Sequence, residues 1–473
     1  MLKSKLFFNL YTKSLQHQFF SSAPKKKICI IGSGPAGFYT AQNLLKSEVV
    51  EVDIFEKLPA PYGLIRYGVA PDHPEIKNVI TSFNKVAEYK YCNFYGNVNI
   101  GQDITIEELS KAYHGIVLAY GADSERQLNI PGEDSKNVLS SNEFVAWYNG
   151  HPNFVNLNLN LDCENAVVIG HGNVAIDVAR ILLLDIDVLM KTDIAEHALE
   201  ALNKSRVKKV TMVGRRGPLQ VSFTTKEFRE LAKLSYCRSV MNLEDFVGIP
   251  DIIPSLKRPL KRLTELVWTT ANQEQDKSLN KSWELKFYRN PKVTLPDSEG
   301  RVENVVFGIN KLKELDLTKP PEIFDTGEEE NLSAGIVIKS IGYKSSPIDP
   351  SVPFDPKRCI VPNKKGKVLN KNGLYCSGWI KTGPKGVILP TMHSSYETVD
   401  VILDDIDKGE MNADLPMDRN DVLDLLKKRG VKYVTFEYWK KINQIEEERG
   451  MAKGKPRIKI CNVDEMLKIA NLT

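Results

Sequence analysis

The chain has 473 residues, 42% of them hydrophobic and 26% charged, with a net charge of +4. That length exceeds one ordinary core and implies two domains or more, with the composition of a globular enzyme. The charge is too small to argue for nucleic acid, and no stretch reaches the ~20 apolar residues of a membrane-spanning helix. The cysteines (Cys29, Cys92, Cys163, Cys237, Cys359, Cys376 and Cys461) are scattered, and no two lie within five residues of each other. That excludes a C-x-x-C redox pair and any clustered zinc or iron–sulfur motif. Buried thiols in a reducing compartment are expected, and no metal site.

Residues 1–24, MLKSKLFFNLYTKSLQHQFFSSAP, carry Lys3, Lys5 and Lys13 but no acid; the first acid is Glu48. A basic, Ser-bearing, amphipathic start predicts a mitochondrial transit peptide. "ICIIGSGPAGFYTAQNLLK" then predicts strand, tight turn and helix, and "VEVDIFEK" (50–57) a second strand. Gly32-Ser33-Gly34-Pro35-Ala36-Gly37 is a full G-x-G-x-x-G between strand and helix. The first glycine permits the turn, the second lets backbone approach a diphosphate, and the third lets helix and strand pack closely. The diphosphate then meets free N–H groups at the helix N-terminus. Glu56, ending the second strand, suits an unphosphorylated adenosine ribose, so the first site is read as one for FAD or NAD.

"GIVLAYGA" (115–122) predicts another strand, and "NAVVIGHGNVAIDVARILL" (165–183) repeats strand, turn and helix. Its turn, Gly170-His171-Gly172-Asn173-Val174-Ala175, is G-x-G-x-x-A. In "VTMVGRRGPLQ" (210–220) the next strand ends at Arg215 and Arg216, where an acid would bind an NAD ribose. Planar guanidinium groups can grip a 2′-phosphate that an acid would repel, so the second site is read as favouring NADPH over NADH. Residues 240–330 read as irregular and polar, with amphipathic pieces such as "LKRLTELVWTTAN". "GIVIKSIGYK" (335–344) predicts a strand, and residues 373–406 a strand, a glycine-rich loop and a helix. "RNDVLDLLKKRG" predicts a helix within 418–473. Two copies of one unit predict an α/β fold with two dinucleotide-binding, Rossmann-like domains.

"GSGPAGFYTAQ", "PYGLIRYGVAPDHPEIKNVI", "GHGNVAIDVARILL", "VGRRGPLQVSFT", "KSIGYKS" and "LYCSGWIKTGPKGVI" together resemble the mitochondrial NADPH:adrenodoxin (ferredoxin) oxidoreductase family over about residues 27–470. The resemblance implies an NADP domain (125–344) inserted into a split FAD domain (25–124 and 345–473). "GIVLAYGA" and "IVIKSIGYK" would be the two crossings. It implies FAD contacts at Ala36, Glu56, Leu64, Ile100, Trp379, Gly386, Val387 and Ile388, beside Gly32, Gly34 and Gly37 of the turn. His171, Gly172, Asn173 and Val174, with Gly170, would hold the NADP diphosphate. Arg215, Arg216 and Glu227 would hold the adenosine end, and Gly386 would also touch the nicotinamide side. The family usually has Gln at the place of His171, and its K-R-G-P-T-G is K-T-G-P-K-G here, with Thr382 and Lys385.

His73 and Asp177 resemble a family His–acid pair near the flavin that tunes proton balance or coupling. The bland readings are a loop histidine fixed between Asp72 and Pro74, and a helix-start acid within reach of Arg180. Arg229, Arg258 and Arg262, the last two in "LKRPLKR", resemble the docking site for an acidic ferredoxin; the bland reading is a solvated basic helix. The implied activity passes hydride from NADPH to FAD and single electrons on to a mitochondrial 2Fe–2S ferredoxin, feeding iron–sulfur assembly, haem modification or cytochrome P450 systems. The family habit is a monomer on the matrix side of the inner membrane, loosely attached to it. The alternatives are a reductase of another small-molecule or disulfide acceptor on the same fold, against which the missing cysteine pair argues, and a non-enzymatic nucleotide sensor.

Overall fold

A computed structural model describes residues 24–472 apart from Asp316, Thr318, Pro320, Lys385 and Val387. The expected transit peptide, Val387 and Lys385 therefore fall outside the described residues, Pro24 excepted. The first sheet begins with β1 (Lys26–Ile31), β2 (Val50–Phe55), β3 (Cys92–Gly96) and β4 (Gly115–Leu118). The chain leaves through β5 (Ser124–Glu125) and builds a second sheet from β6 (Val138–Ser140), β7 (Asn165–Ile169), β8 (Lys209–Val213), β9 (Cys237–Met241) and β10 (Lys281–Lys286). An antiparallel meander follows, β11 (Arg289–Pro296), β12 (Val302–Leu312) and β13 (Ile323–Ser333), then β14 (Ile336–Lys339) and the returning β15 (Tyr343–Lys344). β16 (Asn363–Lys364), β17 (Lys367–Val368), β18 (Leu374–Cys376) and β19 (Val434–Thr435) complete the first sheet. The helices used below are α1 (Pro35–Leu45), α2 (Ser141–Tyr148), α3 (Asn173–Leu183), α4 (Thr225–Ala232), α5 (Leu260–Ala271), α6 (Ile388–Asp407) and α7 (Phe436–Met451).

The first sheet has the order β16-β17-β18-β4-β1-β2-β3-β19 and is parallel from β18 to β3. The second, β6-β14-β7-β8-β10-β9, is parallel throughout. Central parallel strands are covered on both faces, and Ile28, Ile30, Val167 and Val168 are accordingly almost wholly buried. Apolar clusters lie on both faces of the first sheet. The second sheet packs helices on one face and the meander, through Val302, Val305 and Phe307, on the other. The two crossings run side by side, β5 antiparallel to β15 with Glu125 opposite Tyr343.

The region 240–330 is more regular than its composition suggests: it supplies α5, β10 and the whole meander. The reading as irregular fails because a sheet covered on one face needs few apolar residues. β13, IFDTGEEENLS, is mostly exposed and carries no apolar run.

Candidate functional site

Both glycine turns lie at the carboxyl ends of central parallel strands, where open α/β sheets bind ligands. In the first, Gly32 has φ +104°, and a Cβ there would stand 2.6 Å from the Ala119 carbonyl oxygen. A Cβ on Gly37 would stand 2.0 Å from the Gly32 carbonyl oxygen. Gly34, by contrast, would meet only the Cα of Gly63, at 4.0 Å, so its face is open. It is the N-cap of α1 and offers no side chain to the first-turn N–H groups. α2 and α4 are capped by Ser140 and Thr224. An uncapped helix start behind an open glycine fits a diphosphate.

The Glu56 carboxylate accepts from the Ser33 backbone N–H (3.0 Å), the Ser33 hydroxyl (2.7 Å) and the Leu58 N–H (3.1 Å). It braces the turn, and a carboxylate has about four lone-pair sites, so capacity remains for a ribose. Ala36 is buried, and its carbonyl accepts from the Thr40 and Ser395 hydroxyls, which ties α1 to α6. Ile100 is buried. Leu64 and Leu389 are 37% and 58% exposed, while Ile388, the first residue of α6, is half-buried. Gly386 is exposed, with φ +81°.

The second turn repeats the design. A Cβ on Gly170 would stand 2.1 Å from the Ser340 carbonyl oxygen, whereas Gly172 has nothing within 4 Å and leaves α3 uncapped. The His171 ring faces the protein: Nε2 lies 3.1 Å from the Met212 carbonyl, and a Cβ on Gly214 would stand 2.3 Å from Nδ1. Burial pushes this histidine down to about 4, so it is neutral at pH 7. Asn173 accepts the Thr224 N–H at 2.8 Å, joining the turn to the start of α4, and Val174 packs on the core. Arg215 and Arg216, just beyond β8, are exposed and make no ion pair among the described residues. Only their carbonyls are engaged, by Asn310 and Tyr288.

A third group forms where segment 72–77, which includes the short helix Pro74–Lys77, meets α3 and α4. His73 is buried, with Nε2 2.7 Å from Glu230 Oε2 and 2.6 Å from Arg180 Nη1. Arg180 also holds both Asp72 carboxylate oxygens at 2.7 Å, and Lys226 reaches Glu75 at 2.9 Å. The acid in hydrogen-bond reach of His73 is therefore Glu230, while Asp177, the expected partner, stands within 4.8 Å of the imidazole without a hydrogen bond to it. Asp177 instead lies 3.5 Å from Arg180, and its Oδ1, like Glu227 Oε2, is buried without a hydrogen-bond partner. Burial pushes the Asp177 carboxyl well up, against the Arg180 charge and with the help of Glu227 and Asp72; burial also raises Glu227. Glu227 thus sits with His73 and Asp177, their ligand atoms within 4.8 Å of one another, and among the described residues it makes no ion pair with Arg215 or Arg216. Thr224 caps α4 by accepting the Glu227 N–H. Glu230 was missed in the sequence, although its i, i+3 spacing from Glu227 on one helical face was the available signal.

Comparison with known proteins places this geometry. A model described as pyridine nucleotide-disulphide oxidoreductase matches residues 26–236. The chain is 48% identical over 458 residues (95% of it, 92% of the relative) to "NADPH:adrenodoxin oxidoreductase, mitochondrial" of Salvelinus fontinalis. Against the human protein of that name the identity is 46% over 466 residues, covering 97% and 94%. The chain belongs to the NADPH:adrenodoxin oxidoreductase family. A solved structure, "Mycobacterium tuberculosis FprA in complex with NADPH", superposes with a TM-score of 0.89 at 39% identity, covering 94% of this chain and 100% of that one.

Two family departures have a local account. His171 keeps the backbone turn because its ring packs on Gly214 and Phe287, centroids 5.0 Å apart in the latter case. The Thr382 hydroxyl donates to the Gly378 and Gly383 carbonyls at 3.3 and 3.1 Å, closing the turn after Trp379. Arg229 lies on α4, Arg258 just before α5 and Arg262 on it; the two helices touch. All three arginines are exposed without an ion pair among the described residues.

Proposed function

We propose that the chain oxidises NADPH and delivers the electrons singly to an adrenodoxin-like 2Fe–2S ferredoxin. The observation that carries this is the contrast between the two strand ends, Glu56 in one and the unpaired Arg215 and Arg216 in the other. The named relatives support the same direction of flow.

In this reading FAD belongs to residues 25–124 and 345–473 and NADPH to residues 125–344. Gly34 and the start of α1 hold the FAD diphosphate, Glu56 the ribose, and Trp379, Gly386 and Ile388 the flavin end. Gly172 and the start of α3 hold the NADPH diphosphate, and Arg215 and Arg216 its 2′-phosphate. FAD, when bound, supplies the exchange between a two-electron donor and a one-electron acceptor. Hydride transfer needs no side-chain nucleophile; the chain binds, orients and excludes water. His73 lies between Glu230 and Arg180, and Arg180 with Asp72 fixes the segment that carries it. Arg229, Arg258 and Arg262 offer an acidic ferredoxin a complementary face that speeds encounter and weakens with salt. The relatives' names say mitochondrial, and residues 1–24 are proposed as the leader that takes this chain to the matrix side of the inner membrane. Among the described residues no helix is long and apolar enough to cross a membrane.

The test is cytochrome c reduction by the purified yellow protein, with NADPH or NADH, with and without a mitochondrial 2Fe–2S ferredoxin. Strong stimulation by the ferredoxin with NADPH alone is expected. Flavin reduction by NADPH without that stimulation would move the search to another acceptor.

A further inference from the structure

Trp379 does not stand alone. Its indole stacks on the ring of Tyr343, with centroids 5.8 Å apart and planes 25° from parallel. Tyr343 belongs to β15, the returning crossing strand paired with β5. Trp379 opens the short helix Trp379–Thr382 that follows β18. Gly378 fixes the entry to that helix: its φ is +70°, and a Cβ there would stand 2.5 Å from the Cβ of Ala36 in the first turn of α1. The indole is therefore anchored beside the first glycine turn and leans on the crossing ribbon.

The tyrosine's other end faces the second sheet. Tyr343 follows Lys339, the last residue of β14, by four residues and so continues the second sheet's strand into the crossing. Burial pushes its phenol up to about 12, and the Asp177 and Glu125 carboxylates add to the rise. Asp177 acts on the buried Tyr148 hydroxyl as well, which has no hydrogen-bond partner. One ring thus joins Trp379 to the strand that returns from the second sheet. Neither Tyr343 nor Trp379 belongs to any of the four apolar clusters of the two sheets. Their stack adds little to the core and restricts the indole's rotation.

We infer that Tyr343 is a positioning residue: its ring fixes the Trp379 indole and couples the setting of the second sheet to the geometry of electron delivery. The inference rests on the proposed placement of Trp379 at the flavin. An offset aromatic stack is the kind of contact that holds a ring in one orientation without contributing charge or chemistry.

The holoenzyme is compared as wild type, Tyr343→Leu, Tyr343→Phe and Tyr343→Trp. Three quantities are read: the stopped-flow rate of flavin reduction by NADPH, the NADPH KM, and the flavin's visible circular dichroism. Losing the stack in Tyr343→Leu is expected to slow reduction roughly five- to tenfold and to change the dichroism, with KM within about twofold. Tyr343→Phe and Tyr343→Trp keep a ring and restore the rate to within about twofold. FAD content and melting temperature stay at the wild-type values in all three variants. Wild-type rate and dichroism in Tyr343→Leu would overturn the inference, as would a loss in Tyr343→Phe equal to that in Tyr343→Leu. A wild-type holoenzyme that NADPH fails to reduce would instead overturn the functional reading beneath it.

Discussion

Replacing Arg216 by Ala removes one of two unpaired guanidinium groups from the end of β8. A hydrogen bond to a charged partner contributes ~1.5–3 kcal/mol net. Exposure and salt screening place an arginine on the surface near the lower figure. About 1.5 kcal/mol corresponds to a rise of roughly tenfold in the NADPH KM. Arg215→Ala should act alike, and the double variant should approach ~100-fold if the two guanidinium groups contribute separately. Arg216→Glu should exceed either, because it sets like charge against the 2′-phosphate. NADH lacks that phosphate, so its KM should move less than about twofold in every variant. The assay is the initial rate of ferricyanide reduction with each nucleotide, at low and high salt. The wild-type NADPH KM should rise with salt, and the double variant should lose most of that dependence. An equal rise for NADPH and NADH would refute the 2′-phosphate assignment and leave the arginines as a solvated pair.

Gly37→Ala and Gly172→Ala should diverge: the first forces a Cβ to 2.0 Å from a backbone oxygen and should yield colourless or unstable protein, while the second meets nothing within 4 Å and should fold yellow but bind NADPH weakly. FAD content and NADPH titration separate the two outcomes. Glu446 on α7, fully buried, accepts from Arg66 at 2.9 and 2.5 Å and from the Ile460 N–H at 2.8 Å. Glu446→Gln leaves Arg66 buried without its counter-charge and should cost about 3–5 kcal/mol in a denaturant titration; a loss below about 1 kcal/mol would contradict this account. Lys459, 1% exposed by side chain, contacts the Arg66 carbonyl, Asn149 and Asp193, and burial pushes its ammonium down to about 7. The folded chain therefore binds fewer protons than the unfolded one between about pH 7 and 10.5, and stability from this group rises with pH across that window. Lys459→Met should flatten the slope of melting temperature against pH there; an unchanged slope would show that Lys459 keeps its proton when folded.

The glycine turns and the arginine pair were readable because each is local. The Gly37 contact, with the Gly32 carbonyl, lies within one strand–turn–helix unit; Gly32 and Gly170 instead close on Ala119 and Ser340, just beyond the neighbouring strands β4 and β14, so it is the spacing of the motif and not these two contacts that is local. The same holds for Arg215 and Arg216, whose position at a strand end is set by counting along one unit. The meander escaped notice because strands covered on one face carry little apolar signal, as in IFDTGEEENLS.

What the amino-acid order determined by itself was two nucleotide-binding units and a preference written into each strand end, since backbone sterics and charge act over a few residues. What only the tertiary structure decided was the partner of His73. Asp177 and Glu230 are both acids on helices flanking that loop, and nothing in their spacing ranks one above the other. Packing of α4 against α3 brings Glu230 to 2.7 Å from the imidazole and leaves Asp177 beside Arg180 with a buried oxygen unpaired. Side chains 157 residues apart meet only once two sheets are set against each other, and that setting depends on long-range packing for which no local pattern substitutes.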